Sequence, residues 1–337
     1  MAYSVALPQA NARVHVDDGN SILDAALSCD IPYPFGCRSG MCGSCKSTLI
    51  SGRVDVRGHQ EFALTEEEQR QGLVLACCAY PLSDCELVWL DPDEPASFDF
   101  RECEGRVAEV RRVTHDIAVV QVALDAAAPL EFAAGQYASV SFGFLPTRHY
   151  SFANVPGSPL LEFHVRAVPG GQVSTSVYAE LSPGSRVRVS GPLGAAYLRR
   201  SHTGPAIFCA GGTGLAPVLS MLRQQALDGA TRPMQLFFGV RAEQDLYAID
   251  QLNELAHALP QLEITPVLSE ADGSIGRRTG FLADAVRADV GDCSSSKAYL
   301  CGPPIMVETC RRALFEKNLG PQHCHVDAFW TPPAAPA

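Results

Sequence analysis

Three cysteines at C-x4-C-x2-C spacing, Cys37, Cys42 and Cys45, constrain this chain more than any other feature. Gly and Ser dominate the intervals of Cys37-Arg38-Ser39-Gly40-Met41-Cys42-Gly43-Ser44-Cys45. Such a loop can fold tightly over a small inorganic core with its amides turned inward. Gly40 and Gly43 supply the backbone freedom for that. A fourth thiol, Cys77, follows in Leu75-Ala76-Cys77-Cys78. The spacing is that of a [2Fe–2S] cluster held by four thiolates. Zinc is the competing reading, but structural zinc sites usually draw on two C-x2-C or Cys/His pairs. This chain has one C-x2-C and no second pair.

A length of 337 residues suits two or three domains. Hydrophobic residues make up 47% and charged residues 19%, the balance of a soluble globular protein. No apolar run approaches the length of a membrane span, so no membrane association is expected. The N-terminus lacks the basic and apolar regions of a signal peptide, which points to the cytoplasm, where structural disulfides are rare. The 13 cysteines are therefore read as ligands, one candidate reacting-site thiol and buried small apolar residues. The net charge of −11 argues against nucleic acid. Residues 1–95 carry six Lys/Arg and fourteen Asp/Glu, net −8, leaving −3 for the rest. That acidic segment either steers a basic partner or only keeps the chain soluble.

The rhythm of the chain changes twice, and three domains are expected: 1–95, 101–200 and 203–337. In the first, Tyr3–Leu7 and Arg13–Val16 read as strands, and Ser21 caps a helix over Ile22–Leu27. Lys46–Ile50 and Arg53–Val56 flank Ser51-Gly52 as a hairpin. Thr65-Glu66-Glu67-Glu68 is a capping box, and Leu73–Tyr80 and Glu86–Leu90 read as strands. A small mixed sheet crossed by a helix, the β-grasp architecture, fits this pattern. Asp91-Pro92-Asp93-Glu94-Pro95 reads as a linker. Short strands then recur between Gly/Pro turns over 101–200, with one helix near Val173–Leu181, as in an antiparallel β-barrel. From Ala206 onward strands alternate with helices, which predicts a parallel α/β domain.

Two stretches in the barrel can hold a ring system and its phosphates. In Arg148-His149-Tyr150-Ser151, Arg148 offers a forked cation, Tyr150 a stacking ring and Ser151 a hydroxyl for a ring nitrogen. His164-Val165-Arg166-Ala167-Val168-Pro169-Gly170-Gly171 ends a strand and runs into Gln172-Val173-Ser174-Thr175, a helix start whose free amides suit a pyrophosphate. Gly211-Gly212-Thr213-Gly214-Leu215-Ala216-Pro217 forms a second anion site after a strand, although it is not G-x-G-x-x-G. Cys301-Gly302-Pro303-Pro304 ends a later strand, where ligands of open α/β sheets gather.

Taken in order, these stretches resemble the ferredoxin–NADP reductase-type flavoproteins with an N-terminal plant-type ferredoxin domain. The chain is similar to the reductase components of bacterial aromatic-ring-hydroxylating oxygenases, of the naphthalene dioxygenase reductase type. Ser190-Gly191-Pro192-Leu193-Gly194, Phe238-Gly239-Val240-Arg241 and Asp327-Ala328-Phe329 support the likeness. The resemblance implies three cofactors: a [2Fe–2S] cluster, FAD and NADH, with NADPH as the alternative. Cys37, Cys42, Cys45 and Cys77 would hold the cluster, with Cys78 as a rival for the fourth place. Arg148, His149, Tyr150 and Ser151 would bind the flavin, Ser151 at N5. His164, Val165, Arg166, Gly170, Gly171, Val173, Ser174 and Thr175 would line the rest of its site. Gly212, Thr213, Gly214 and Ala216 would hold the coenzyme, with Cys301, Gly302 and Pro303 beside the nicotinamide. Phe329 would lie against the flavin ring, with Trp330 as the other candidate. Relatives carry Glu-Lys-Phe where this chain has Asp327-Ala328-Phe329.

A nicotinamide gives two electrons at once and a cluster takes one, so a flavin between them accounts for three sites in one chain. The acceptor would be a Rieske ferredoxin or the terminal oxygenase. A diiron monooxygenase or a deoxysugar dehydratase system is the alternative, and a non-enzymatic zinc-binding module the remote one. In Val240-Arg241-Ala242-Glu243-Gln244-Asp245 the acidic residues favour NADH, while Arg241 keeps NADPH open.

Overall fold

The computed structural model describes residues 2–29, 31, 33–35, 38, 40, 43–61, 63–90, 98–126, 128–270 and 277–329. They form two compact units, Met1–Ser97 and Phe98–Ala337. The proposed linker Asp91–Pro95, together with Cys37, Cys42 and Trp330, lies outside the described residues.

In the first unit β1 (Tyr3–Leu7) pairs antiparallel with β2 (Ala12–Val16). Ser21 caps α1 (Ile22–Ser28) by accepting the Asp24 amide at 3.1 Å. The helix buries Ile22, Leu23, Ala25 and Ala26 in the unit's core. Then follow β3 (Lys46–Ser51), β4 (Val54–Val56), α2 (Glu66–Arg70), β5 (Leu73–Leu75), β6 (Ala79–Pro81) and β7 (Cys85–Trp89). The Thr65–Glu68 capping box opens α2 as the sequence indicates. The main sheet runs β2-β1-β7-β3-β5, and β4 pairs with β6 alone. Two expectations fail. β3 and β4 do not form a hairpin: β3 pairs with β7 and β5. Gly52, at φ +92°, lies so close to the Asp84 and Cys85 backbone that a Cβ would overlap it, and the chain leaves the sheet there. The expected strand Leu73–Tyr80 is broken by a turn at Ala76–Cys78, where the Cys78 amide bonds to the Leu75 carbonyl at 2.8 Å.

The second unit begins with β8 (Arg101–Arg112), β9 (Ile117–Leu124), β10 (Tyr137–Phe142), β11 (Arg148–Ser151), β12 (Leu160–Arg166), α3 (Gln172–Glu180) and β13 (Arg186–Leu193). These strands form an antiparallel sheet, β11-β10-β13-β8-β9-β12. A bridge from Phe152 to Phe163 joins its two edges, so the sheet nearly closes into a barrel. Val120, Val140, Phe142, Phe152 and Phe163 fill its interior.

The chain continues through β14 (Ala206–Gly211), α4 (Leu215–Leu227), β15 (Met234–Val240), α5 (Ile249–Ala258), β16 (Leu262–Leu268), β17 (Arg278–Thr279), α6 (Leu282–Asp289), β18 (Lys297–Gly302), α7 (Pro304–Phe315) and β19 (Cys324–Ala328). All six strands are parallel, in the order β17-β16-β15-β14-β18-β19. β14 and β18 are buried along their whole length, as expected for strands covered on both faces. The order reverses between β14 and β18, which places a ligand crevice at their carboxyl ends. β17 and β19 carry no sequence signal of their own, being short and without an apolar run. Among the described residues no helix is long and apolar enough to cross a membrane.

A buried polar network joins barrel to α/β layer. Arg223 of α4 donates to the Ala153 carbonyl at 2.7 Å, to Glu162 at 2.9 Å and to Gln251 at 2.8 Å. Ser220 donates to the Asn154 carbonyl at 2.7 Å, and His164 Nδ1 lies 2.9 Å from the Tyr247 hydroxyl. Burial acts to raise the Glu162 carboxyl, but His164 and Arg223 outweigh it and hold it well below the usual range. Burial pushes the His164 imidazole down. Arg223→Met strands a buried carboxylate and is expected to cost about 3 kcal/mol at neutral pH. A depressed carboxyl stabilises above its unfolded pKa, about 4.3, and that stability is lost as pH falls below it. The gap in Tm between wild type and variant should therefore hold from pH 8 down to about pH 5 and narrow only as the pH falls below about 4. A gap independent of pH would refute this account.

Candidate functional site

In the first unit the Ala76–Cys78 turn faces Cys45. Cys45, Cys77 and Cys78 are all buried. The Ala76 amide bonds to the Cys45 carbonyl at 3.0 Å, and the Cys77 amide points at Cys45 Sγ at 3.5 Å. The Cys77 thiol is pulled down to about 4, first by the Cys45 and Cys78 thiols, with burial opposing and the Gly40 and Cys77 amides assisting. A thiolate ringed by thiols and amides is the donor set that a cluster requires. Gly40 (φ +71°) and Gly43 (φ +76°) both adopt the conformation anticipated for this loop. A Cβ on Gly40 would stand 2.6 Å from Cys78 Sγ and 2.7 Å from His59 Cα.

In the second unit the barrel meets the carboxyl ends of β14 and β18. Two loops pack there backbone on backbone. A Cβ on Gly211 would lie 2.8 Å from Pro303 Cδ, and one on Gly302 would lie 3.0 Å from Gly211 Cα. One on Gly214 would run into the Cys301 carbonyl oxygen. The glycines at 211, 214 and 302 therefore permit close contact between the two loops. Gly212 (φ +54°) differs: its Cβ position is 3.4 Å from Arg166 Nη1, on the barrel side.

Ser151, at the end of β11, donates to Asp327 of β19 at 2.9 Å. Asp327 sits opposite Cys301 in the β18–β19 register. Cys301 is fully buried, and burial first and Asp327 second push its thiol well up, so it is a neutral thiol. The Phe329 amide bonds to the Gly302 carbonyl at 2.8 Å and continues the β18–β19 pairing by one residue. Asp327, to which sequence reasoning gave no role, thus links Ser151 to the Cys301 position, and the Phe329 backbone lies two residues further along. The signal of Asp327 is faint: an acid two residues before the aromatic Phe329, on a strand without an apolar run.

On β11, Arg148 is exposed, and among the described residues no carboxylate pairs with it. His149 tilts against Tyr137, their ring centres 5.1 Å apart. Tyr150 is half-buried beside Phe142 and Phe163, and burial raises its hydroxyl to about 12. Gly171 begins α3 without a side-chain cap, which leaves its first amides for an anion. Val173 is buried, and Ser174 accepts the Val168 amide at 3.1 Å. The Thr175 hydroxyl points at the Val168 carbonyl, 3.4 Å away. Val165 is buried in the barrel, and the His164 side chain is used in the network with Tyr247 and Glu162. Arg166 is held by Asp116 at 2.7 Å. Arg241 follows β15 and lies between Asp116 and Asp245. Asp116 and Asp245 carried no sequence signal for this pairing.

Three family models match in order. Residues 7–82 match a 2Fe-2S iron-sulfur cluster binding domain, 104–197 an oxidoreductase FAD-binding domain and 208–312 an oxidoreductase NAD-binding domain. A Ralstonia reductase component of naphthalene 1,2-dioxygenase/salicylate 5-hydroxylase systems is 40% identical, covering 95% of this chain and 96% of its own. The Pseudomonas putida reductase component of a naphthalene 1,2-dioxygenase system is 37% identical, covering 96% and 98%. The crystal structure of an Amycolatopsis cytochrome P450 reductase superposes with a TM-score of 0.75 at 35% identity, covering 97% and 98%.

Gly214→Ala forces the two loops apart. It is expected to slow coenzyme-driven bleaching of the flavin by roughly a hundredfold, while dithionite still bleaches it. A stopped-flow rate equal to wild type would refute the packing role.

Proposed function

The chain belongs to the ferredoxin–NAD(P)+ reductase family with an N-terminal [2Fe–2S] domain, and we propose that it is the reductase component of an aromatic-ring-hydroxylating dioxygenase system. It is an oxidoreductase with FAD-binding, NAD-binding and [2Fe–2S] domains, and it passes electrons from the coenzyme to a protein acceptor. The proposal takes NADH as the donor and a Rieske ferredoxin, or the oxygenase itself, as the acceptor. The near full-length likeness to the two naphthalene-system reductases supports it. It takes the domains as 1–95, 101–200 and 203–337.

The observation that carries the redox reading is the meeting of Ser151, Asp327 and Cys301 where the barrel abuts the sheet. When bound, FAD takes up a hydride and passes its electrons on singly. Arg148 and the first amides of α3 would hold its pyrophosphate, and Tyr150 would stack on its ring. Ser151, anchored on Asp327, would present its hydroxyl at flavin N5. Cys301 would flank the nicotinamide carbon as an uncharged, buried group that keeps water away. Phe329 stands at the same edge and would give way to the nicotinamide. Cys45 and Cys77, with Cys37 and Cys42, would hold the cluster.

Cys45→Ser is expected to abolish NADH-dependent cytochrome c reduction while sparing ferricyanide reduction by the flavin. Equal loss of both would overturn the electron order. Reconstitution with a naphthalene-type Rieske ferredoxin and oxygenase tests the acceptor. NADH oxidation coupled to dihydroxylated product supports the reading. Cytochrome c reduction without any transfer to that pair refutes it.

A further inference from the structure

We propose that Cys78 is a positioning residue for the cluster: its thiol donates a hydrogen bond to the Cys77 thiolate and raises the cluster's reduction potential. This rests on the reading of Cys77 as the fourth cluster ligand.

Cys78 is the thiol to spare. Four ligands complete a plant-type cluster, and Cys37, Cys42, Cys45 and Cys77 have the spacing for it. Cys77 Sγ and Cys78 Sγ lie 3.6 Å apart, close enough for a hydrogen bond between sulfurs, and either one could donate. Ligation decides the direction. A thiolate bound to iron has no proton to give, so the hydrogen comes from Cys78. The opposite assignment, with Cys78 on iron and Cys77 donating, fits the geometry less well. The Cys77 amide points at Cys45 Sγ at 3.5 Å, which sets residue 77 against a ligand sulfur, whereas Cys78 backs on to Gly40.

The donor is held in place. Cys78 is 4% exposed. Its amide donates to the Leu75 carbonyl at 2.8 Å, and its carbonyl accepts the Arg57 amide at 2.9 Å, so both backbone groups are tied. Gly40, in the cysteine loop, leaves room for the sulfur: a Cβ there would stand 2.6 Å from Cys78 Sγ. Gly40 is fixed in turn, its carbonyl accepting the Gln60 amide at 2.9 Å. The thiol is thus wedged between a ligand sulfur and the loop that carries the other ligands, in a space that only glycine keeps open. Reduction adds one negative charge to a cluster, part of it on the ligand sulfurs, and a donor to such a sulfur stabilises the reduced form more than the oxidised one. The S–H group is a weak donor, but the bond is buried and its acceptor is charged.

The test is a redox titration of the purified holoprotein followed by electron paramagnetic resonance, with iron and flavin content as the folding controls. Cys78→Ala is expected to lower the reduced-to-oxidised ratio of the cluster at a fixed potential about tenfold, a fall of about 59 mV for one electron. Cys78→Ser puts a hydroxyl donor back and should return the ratio to within about twofold of wild type, about 18 mV, or above it. A Cys78→Ala midpoint within that same margin of wild type overturns the donor role, and so does a Cys78→Ser midpoint as low as that of Cys78→Ala. If Cys78→Ala loses iron, Cys78→Val is compared with Cys78→Ser on the same criterion. Loss of iron from every Cys78 variant makes the residue a ligand or a structural prop and also overturns the donor role. Cys77→Ser tests the reading beneath it. Loss of the cluster, or a changed optical spectrum, supports Cys77 as the ligand. A wild-type optical and resonance spectrum overturns that reading, a result distinct from an unmoved potential in Cys78→Ala.

Discussion

Arg223 ties the barrel to the sheet, and the site depends on that tie. One guanidinium reaches the Ala153 carbonyl, the Glu162 carboxylate and Gln251, all partly buried. A carboxylate buried there is tolerable only because the Arg223 cation and the His164 imidazole face it. The geometry at Ser151 follows. Ser151 belongs to the barrel and Asp327 to the last strand of the sheet, and a 2.9 Å bond between them requires the two layers to be held in register. The network and the site bond lie at different places along one junction of barrel and sheet.

Close backbone packing is the second device. The loops after β14 and β18 approach until side chains no longer fit, and glycine is required at 211, 214 and 302 for that reason. A glycine-rich stretch after a strand suggests phosphate binding, yet most of these glycines face the neighbouring loop. The crevice is formed by two loops locked together, and Gly212 is the position turned towards the barrel and Arg166.

What could be read from the sequence follows from how local each signal is. The cysteine spacing, the Thr65–Glu68 capping box, the strand over Arg148–Ser151 and the helix start at Gly171 each depend on a few adjacent residues. The expected β3–β4 hairpin does not form, because Gly52 signals a turn without saying whether the chain returns to the same sheet. That choice is made by the Asp84–Cys85 backbone packed against it. Asp327 went unassigned because β19 draws its stability from lying beside β18, not from its own pattern. The Asp116–Arg241 pair joins a barrel turn to a sheet edge, and no local pattern in either segment names the other.

Asp116 links two binding regions in one electrostatic unit. It bonds Arg166, which lies beside Gly212, and it lies within ion-pair distance of Arg241. Loss of Asp116 would leave Arg166 without this partner. Discarding Asp245 instead leaves the Arg166 bond intact, since its own contacts run to Arg241, to His115 in the barrel turn and to the Ala242 amide. The two carboxylates look equivalent when viewed from Arg241, but they are unequal in what else they support. Loss of Asp245 therefore disturbs less around Arg166 and Gly212 than loss of Asp116 does.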